Sequence, residues 1–333
     1  MSKIVNHSEP GRLPRNIAII GAGTMGLGVA QCFALAGLDV TLLDETPEAS
    51  QRALERLAER VQNHVDAKLL PDAAVEAART VRAASDIAEA VASADLVFEA
   101  APERIEIKRD VLTACDAGAP ADAMIASNTS SLPIDKLAAF VERKERFLGM
   151  HWFNPPEWTP GVEVIPSAHT DPAVVERARE FLLAIGKKPA TVASGPGFVA
   201  NRIQFALFRE ALACVEAGLA TPQEIDEVVR SSFGFRLPFY GPFQIADMAG
   251  LDVYVNIMDV LAEGLGADWE APEQLREIVA EGRLGSKTLA GFYDYSEAER
   301  AALLIDRDKR YAALSRLLEE FSARADRGSK GSS

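Results

Sequence analysis

Residues 149–165 read GMHWFNPPEWTPGVEVI. His151 follows the apolar run RFLGM, which reads as a short strand, and Glu163 sits inside a second strand-like run, VEVI. Histidine suits proton transfer because its pKa lies near neutrality. A neighbouring carboxylate would fix the ring tautomer and stabilise the imidazolium. A hairpin-like return through the proline-rich turn would set the two side by side. Taken alone, the spacing fits a packed core histidine and a solvated carboxylate better. Two polar stretches shift that balance. Ser127-Asn128-Thr129-Ser130-Ser131 follows an apolar strand, and Asn201-Arg202 opens a helix after SGPGF. Hydroxyl and amide donors there, from Ser130 and Asn201, would hold a substrate oxygen, although a serine run is as often an ordinary turn or cap.

A second group of residues points to a dinucleotide. Gly21-Ala22-Gly23-Thr24-Met25-Gly26 matches G-x-G-x-x-G, follows the strand NIAIIG and opens the helix MGLGVAQCFALAG. Gly21 permits the turn, Gly23 lets a pyrophosphate approach the helix N-terminus, and Gly26 lets helix and strand pack closely. Asp44 ends the next strand, DVTLLD. A carboxylate there binds ribose hydroxyls and repels a 2′-phosphate, which favours NAD over NADP. A nicotinamide enzyme that moves a hydride must also move a proton, the role open to His151.

The elements that must position these groups are legible. After the first β-α-β unit, Thr46-Pro47 reads as an N-cap with proline at the first helical position. Residues 47–79 read as a helical hairpin broken at Leu70-Pro71. Strand-like runs follow at 80–84, 94–100, 123–129, 146–152, 162–167 and 189–193, with helical patterns between most of them. Such alternation predicts a mainly parallel sheet covered on both faces. After Pro196 helical patterns dominate, including one through PFQIADMAGLDVYVNIMDVLAEGL, and a charged helix spans 297–325. The expected division is a flexible stretch 1–15, a nucleotide domain 16–195, a helical domain 196–296, the helix 297–325 and a disordered tail 326–333.

With 333 residues the chain is long enough for two domains, and 48% hydrophobic with 25% charged residues is a globular profile. No window approaches a membrane span, and the first fifteen residues lack the apolar core of a secretory signal. Three scattered cysteines fit a reducing cytoplasm and no disulfide framework or zinc cluster; no metal site is expected. A net charge of −14 argues against non-specific nucleic-acid binding.

The chain resembles the 3-hydroxyacyl-CoA dehydrogenases, NAD-dependent enzymes that oxidise L-3-hydroxyacyl-CoA to 3-ketoacyl-CoA. The resemblance runs from about Asn16 to Tyr295 and rests on GAGTMG, DLVFEAAPERIEIK, SNTSSLPI, HWFNPPEWTPGVEVI, SGPGFVANR, YGPFQIADMAGLD and GSKTLAGFYDY. It implies that His151 is the catalytic base, Glu163 its partner, and Ser130 and Asn201 contacts to the substrate oxygen. It also implies cofactor contacts at the glycine loop, Asp44, Glu103, Lys108, Ser130, Asn154 and Lys287. The implied fold is α/β: a Rossmann-type doubly wound parallel sheet with a second, all-α domain that forms a homodimer.

The substrate-binding parts depart from the pattern. Where members that use CoA carry a lysine-rich hairpin, this chain has Arg52, Arg56, Arg60 and Lys68 interleaved with Glu55, Glu59 and Asp66. Arg60 and Lys68 are candidate substrate contacts; a solvated helix face is the alternative. SSFGFRLPFYGPF places Arg236 where the family has a glycine-tyrosine-proline-methionine run. That arginine and the charged helix after GFYDY look more like the branch that includes L-gulonate 3-dehydrogenase and carnitine dehydrogenase. A guanidinium there would bind a small substrate's carboxylate, with a loop or subunit-interface arginine as the alternative. Three readings therefore stand: a CoA-thioester dehydrogenase, a dehydrogenase of a free or carrier-bound hydroxy acid, and a non-catalytic NAD-binding structural protein.

Overall fold

The computed structural model describes the backbone of residues 13–330 and the side chains of 13–321; residues 1–12 and 331–333, parts of the expected flexible stretch and tail, lie outside the described residues. The chain clusters into two compact units, one through Phe208 and one from Arg209.

The first unit is built on eight strands: β1 Asn16–Ile20, β2 Asp39–Leu43, β3 Arg82–Ala83, β4 Leu96–Glu99, β5 Met124–Ser127, β6 Phe147–Trp152, β7 Gly161–Pro166 and β8 Lys188–Thr191. Its helices are α1 Thr24–Leu35, α2 Pro47–Asp66, α3 Ala73–Arg79, α4 Ile87–Val91, α5 Ile105–Gly118, α6 Ile134–Ala138 and α7 Pro172–Ala184. The helix α8, Ala200–Glu216, follows. The sheet order is β3-β2-β1-β4-β5-β6-β7-β8, and all pairings are parallel except β6 with β7. This is the mainly parallel sheet expected from the alternating pattern, in the Rossmann-type α/β architecture that the resemblance implies.

Side chains of β1 alternate between two cores. Ile17 and Ile19 pack with α1, α2, α3 and α7, while Ala18 and Ile20 pack with α4, α5 and α6. That two-sided burial is why the parallel strands read as continuous apolar runs. Phe33 of α1 is fully buried and meets Phe98, Trp152 and Phe181 at 5.6–6.1 Å between ring centroids. Cutting it to alanine would cost about 3–5 kcal/mol.

The sheet reverses direction of growth between β1 and β4, so the loops after these strands flank the crevice where such sheets bind ligands. The expected strand at 80–84 shortens to Arg82–Ala83 at the sheet edge, paired only with β2.

The second unit is helical: the end of α8, then α9 Pro222–Ser231, α10 Pro242–Ala249, α11 Leu251–Leu265, α12 Glu273–Ala280 and α13 Glu297–Lys330. Gly250, at φ 108°, breaks the single helical pattern expected through residues 242–265 into α10 and α11. Asp247 is fully buried and organises the following loop. Its carboxylate accepts from the backbone N–H groups of Phe292 and Tyr293 and from the Tyr295 hydroxyl. The helix α13 carries on to Lys330, past residue 325 where the helix is expected to end. Among the described residues no helix is long and apolar enough to cross a membrane.

Candidate active site

The strand pair β6–β7 fixes the central contact. Its antiparallel register sets His151 directly opposite Glu163, and alternation along β6 turns His151 away from Met150 and Trp152 and onto the face of Phe147. The His151 Nδ1 to Glu163 Oε2 distance is 2.8 Å, and both residues are buried. An ionised carboxylate only accepts, so Nδ1 carries the hydrogen and Nε2 keeps a lone pair. Phe153 packs edge-on to the imidazole at 4.6 Å, and Phe198 lies at 5.6 Å.

The second oxygen of Glu163 ties the dyad to α8. Oε1 accepts from the backbone N–H groups of Val199 (3.0 Å) and Ala200 (2.9 Å), filling the acceptor role at that helix N-terminus. Burial pushes the Glu163 carboxyl up, but the His151 ring and the Ala200 and Val199 N–H groups outweigh it and hold the pKa below the usual carboxylate range. The next residue, Asn201, donates from Nδ2 to the Ser130 carbonyl at 3.0 Å. A chain of contacts thus brings His151, Glu163, Asn201 and Ser130 together.

Ser130 is held from its other side by Glu103. One Glu103 oxygen, Oε1, accepts from the Thr129 hydroxyl, the Ser130 and Ser131 N–H groups and the Ser131 hydroxyl, at 2.6–3.0 Å. Burial raises the Glu103 carboxyl, and the Thr129 hydroxyl, Lys108 and the other donors bring it below its ordinary range. Lys108 is itself buried, 2.7 Å from Glu99 and 3.4 Å from Glu103. Glu99 also accepts from the Ser127 hydroxyl and the Ala101 N–H (2.7 Å). Glu103, expected as a cofactor contact, also gathers the serine loop, and Lys108, another expected contact, braces Glu99 and Glu103 from behind. Nothing local in the sequence marks Glu99 beyond its place at a strand end.

The glycine loop fits a pyrophosphate. Gly21, at φ 105°, has no room for a side chain: a Cβ would lie 2.5 Å from the Ala100 carbonyl oxygen. At Gly26 a Cβ would lie 1.9 Å from the Gly21 oxygen. At Gly23, by contrast, a Cβ would meet no protein atom within 4 Å, and as N-cap of α1 Gly23 offers no side-chain cap to the helix N–H groups. The loop is close-packed behind and open in front, a cradle for a phosphate at a helix N-terminus. Thr24 and Met25 form the first turn of α1. Asp44 follows β2, and Asn154 lies two residues past β6. These sites and the loop after β1 share the carboxyl-terminal edge of the parallel strands.

The remaining expected contacts sit differently. The Arg60 guanidinium bonds the Glu157 carboxylate and is not a free surface cation. Lys68 follows α2 in the left-handed region, at φ 59°, and is exposed. In the second unit, Lys287 donates to Asp252. Arg236 ends a short 3-10 turn, Gly234–Arg236. Its charge acts on the Tyr311 hydroxyl, whose pKa burial nonetheless raises.

The chain matches two consecutive family models: "3-hydroxyacyl-CoA dehydrogenase, NAD binding domain" over residues 16–195 and "3-hydroxyacyl-CoA dehydrogenase, C-terminal domain" over residues 197–295. It belongs to the 3-hydroxyacyl-CoA dehydrogenase family of NAD-dependent oxidoreductases that act on CH–OH groups. It is similar to the 5-formyl-3-hydroxy-2-methylpyridine 4-carboxylate 5-dehydrogenase of Mesorhizobium japonicum, with 40% identity over 92% of this chain and 98% of that one. It is also similar to the 3-hydroxybutyryl-CoA dehydrogenase of Bradyrhizobium diazoefficiens, with 36% identity over 86% and 97%. The crystal structure of a 3-hydroxyacyl-CoA dehydrogenase from Archaeoglobus fulgidus superimposes with a TM-score of 0.77 at 29% identity, covering 92% of this chain and 99% of that one.

Proposed function

We propose that the chain oxidises the 3-hydroxyl of an L-3-hydroxyacyl-CoA to the 3-ketoacyl-CoA, reversibly, with His151 as the base. The observation that carries this reading is the Nδ1 contact to Glu163, which leaves Nε2 as a lone-pair acceptor for the hydroxyl proton. Bound NAD supplies the hydride acceptor. Glu163 holds the tautomer and stabilises the imidazolium as it forms. Ser130 and Asn201, joined through the Ser130 carbonyl, steady the substrate oxygen. In the reverse direction protonated His151 donates to the ketone oxygen. Gly23 and the first turn of α1 take the pyrophosphate, and Asp44 takes the adenosine ribose. Glu103, Lys108, Ser130, Asn154 and Lys287 complete the proposed cofactor contacts.

A second reading, oxidation of a small free hydroxy acid, is supported by two observations. Arg60 is neutralised by Glu157, which removes one cation from a platform for CoA phosphates. A relative at 40% identity is named for a pyridine carboxylate. Arg236 is the candidate carboxylate anchor in that case. The test is NADH formation with L-3-hydroxybutyryl-CoA beside free L-3-hydroxybutyrate, L-gulonate, L-carnitine and 5-formyl-3-hydroxy-2-methylpyridine 4-carboxylate. Preference for the thioester supports the first reading. Activity confined to a free acid overturns it in favour of the second.

The proposed assembly is a homodimer in the cytoplasm. In support, α9 and α12 bury no residue and α11 buries only Leu251, leaving Val228, Ile257 and Val260 exposed, as is Leu219 in the loop before α9.

A further inference from the structure

The turn between β6 and β7, residues 153–160, carries two residues that matter to the site. Phe153 packs on His151, and Asn154 is a proposed cofactor contact. A turn of this length with three prolines has few backbone hydrogen bonds of its own, so something else must fix it. Three elements distant in sequence do so. Gly28 of α1 lets the turn approach: a Cβ there would lie 2.4 Å from Pro156 Cγ. Lys187, which follows α7, donates from Nζ to the carbonyl oxygens of Pro156 (2.5 Å) and Thr159 (3.1 Å). Its ammonium also lies 4.9 Å from the centre of the Trp152 ring. Arg60 of α2 bonds Glu157, whose side chain is only 5% exposed.

One helical turn before Arg60, Arg56 donates from Nη2 to the Ala22 carbonyl of the glycine loop at 2.9 Å. Residues four apart share a helix face. Thus one face of α2 reaches both the glycine loop and the turn behind His151.

We infer that Arg60 is a positioning residue, acting through Glu157 to hold the β6–β7 turn and with it Phe153 and Asn154. This rests on the reading of His151 as the base. The turn is held by charge–dipole and ion-pair contacts to a buried Glu157 and a Lys187 that is itself buried, so its geometry depends on every partner being present. Phe153 transmits the turn's position to the imidazole by direct packing. In this inference the same guanidinium positions the turn and does not bind substrate, since Glu157 already matches its charge.

The test uses the full chain with Arg60→Glu, Glu157→Arg and the double exchange, each with melting temperature, NAD affinity, kcat and KM, on whichever substrate the wild type turns over. The expected result is a fall in kcat of about 10-fold or more in each single variant, with weakened NAD binding. The double exchange recovers both to within about 3-fold of wild type. Arg60→Lys, which keeps the charge, and Glu157→Gln, which keeps the shape, provide milder variants if the reversals do not fold. For these the inference predicts a smaller fall in kcat, larger for Glu157→Gln.

Three outcomes overturn the inference. In one, folded single variants keep kcat and NAD affinity within about 2-fold while the melting temperature drops; the pair is then only structural. In another, Arg60→Lys and Arg60→Glu raise KM for a CoA thioester alone, which makes Arg60 a substrate contact. In the third, the double exchange is no better than the worse single variant. His151→Gln, run in parallel, reports on the base assignment independently: full activity there defeats the base reading, while the NAD affinities still report on the clamp.

Discussion

Replacing Glu163 with glutamine separates its two duties. In the folded chain Oε1 accepts two N–H groups from the start of α8, and Oε2 accepts the His151 Nδ1 hydrogen. A carboxamide oxygen can keep the two α8 contacts. Its NH2 then faces Nδ1, and a donor there forces Nδ1 to become the acceptor. The ring hydrogen moves to Nε2, and the base loses its lone pair. Amide replacement of a carboxylate in a histidine dyad lowers kcat by about 10⁴-fold in a known serine-protease case. We expect about 10³–10⁴-fold for Glu163→Gln, or about 4–5.5 kcal/mol of transition-state stabilisation.

Stability should change less. Three charge-assisted bonds become neutral ones, worth about 1–3 kcal/mol in total. NAD affinity should be unchanged. The pH dependence has a definite sign. The Glu163 pKa is depressed in the folded chain, so its stabilising share is full above the ordinary carboxylate value of 4.5 and is lost as pH falls through the depressed value. The gap in melting temperature between wild type and Glu163→Gln should therefore close on acidification. The assay is NADH formation at saturating NAD beside thermal unfolding at several pH values. A folded Glu163→Gln enzyme with kcat within 10-fold of wild type would refute the tautomer argument.

Gly23→Ala should fold with an unchanged melting temperature, since its Cβ meets no protein atom, yet weaken NAD binding by about 10-fold or more by blocking the pyrophosphate; equal affinity would move the cofactor elsewhere. Asp44→Ala should raise turnover with NADP relative to NAD, and an unchanged ratio would remove Asp44 from the ribose site. Glu103→Ala frees four donors of the serine loop and should lower kcat by about 10–100-fold while the chain remains folded; unaltered kinetics would show that Ser130 needs no such anchor. Asp247→Ala leaves two N–H groups and a hydroxyl without their acceptor, and chemical denaturation should show a loss of about 3–5 kcal/mol; a loss under 1 kcal/mol would mean solvent replaces it.

What the sequence makes legible is what local pattern encodes. The apolar run, the glycines and Asp44 identify the first β-α-β unit, because strand period and turn chemistry are short-range properties. The facing of His151 and Glu163 is legible only in part: a hairpin-like return allows it, but the spacing alone fits a packed histidine and a solvated carboxylate better, and the His151↔Glu163 register is set by the strand pairing. Side-chain partners far apart in sequence are not encoded that way. Arg60 reads as a surface cation among mixed charges, yet it meets Glu157, 97 residues away. Glu103 reads as a cofactor contact, and nothing in the local pattern shows that one of its oxygens also gathers residues 129–131. The Glu163 link to Val199 and Ala200 leaves no mark on composition, since any residue supplies a backbone N–H. The break at Gly250 is hidden for another reason: apolar residues keep helical spacing through it, and only the positive φ ends the helix.

The most direct test of the central claim is NADH formation by wild type and His151→Gln on the same 3-hydroxy substrate, with NAD affinity measured on both. Loss of a general base predicts a fall in turnover of about 10²–10⁴-fold with NAD affinity unchanged. Turnover near the wild-type rate, or loss of NAD binding together with turnover, would contradict His151 as the proton acceptor.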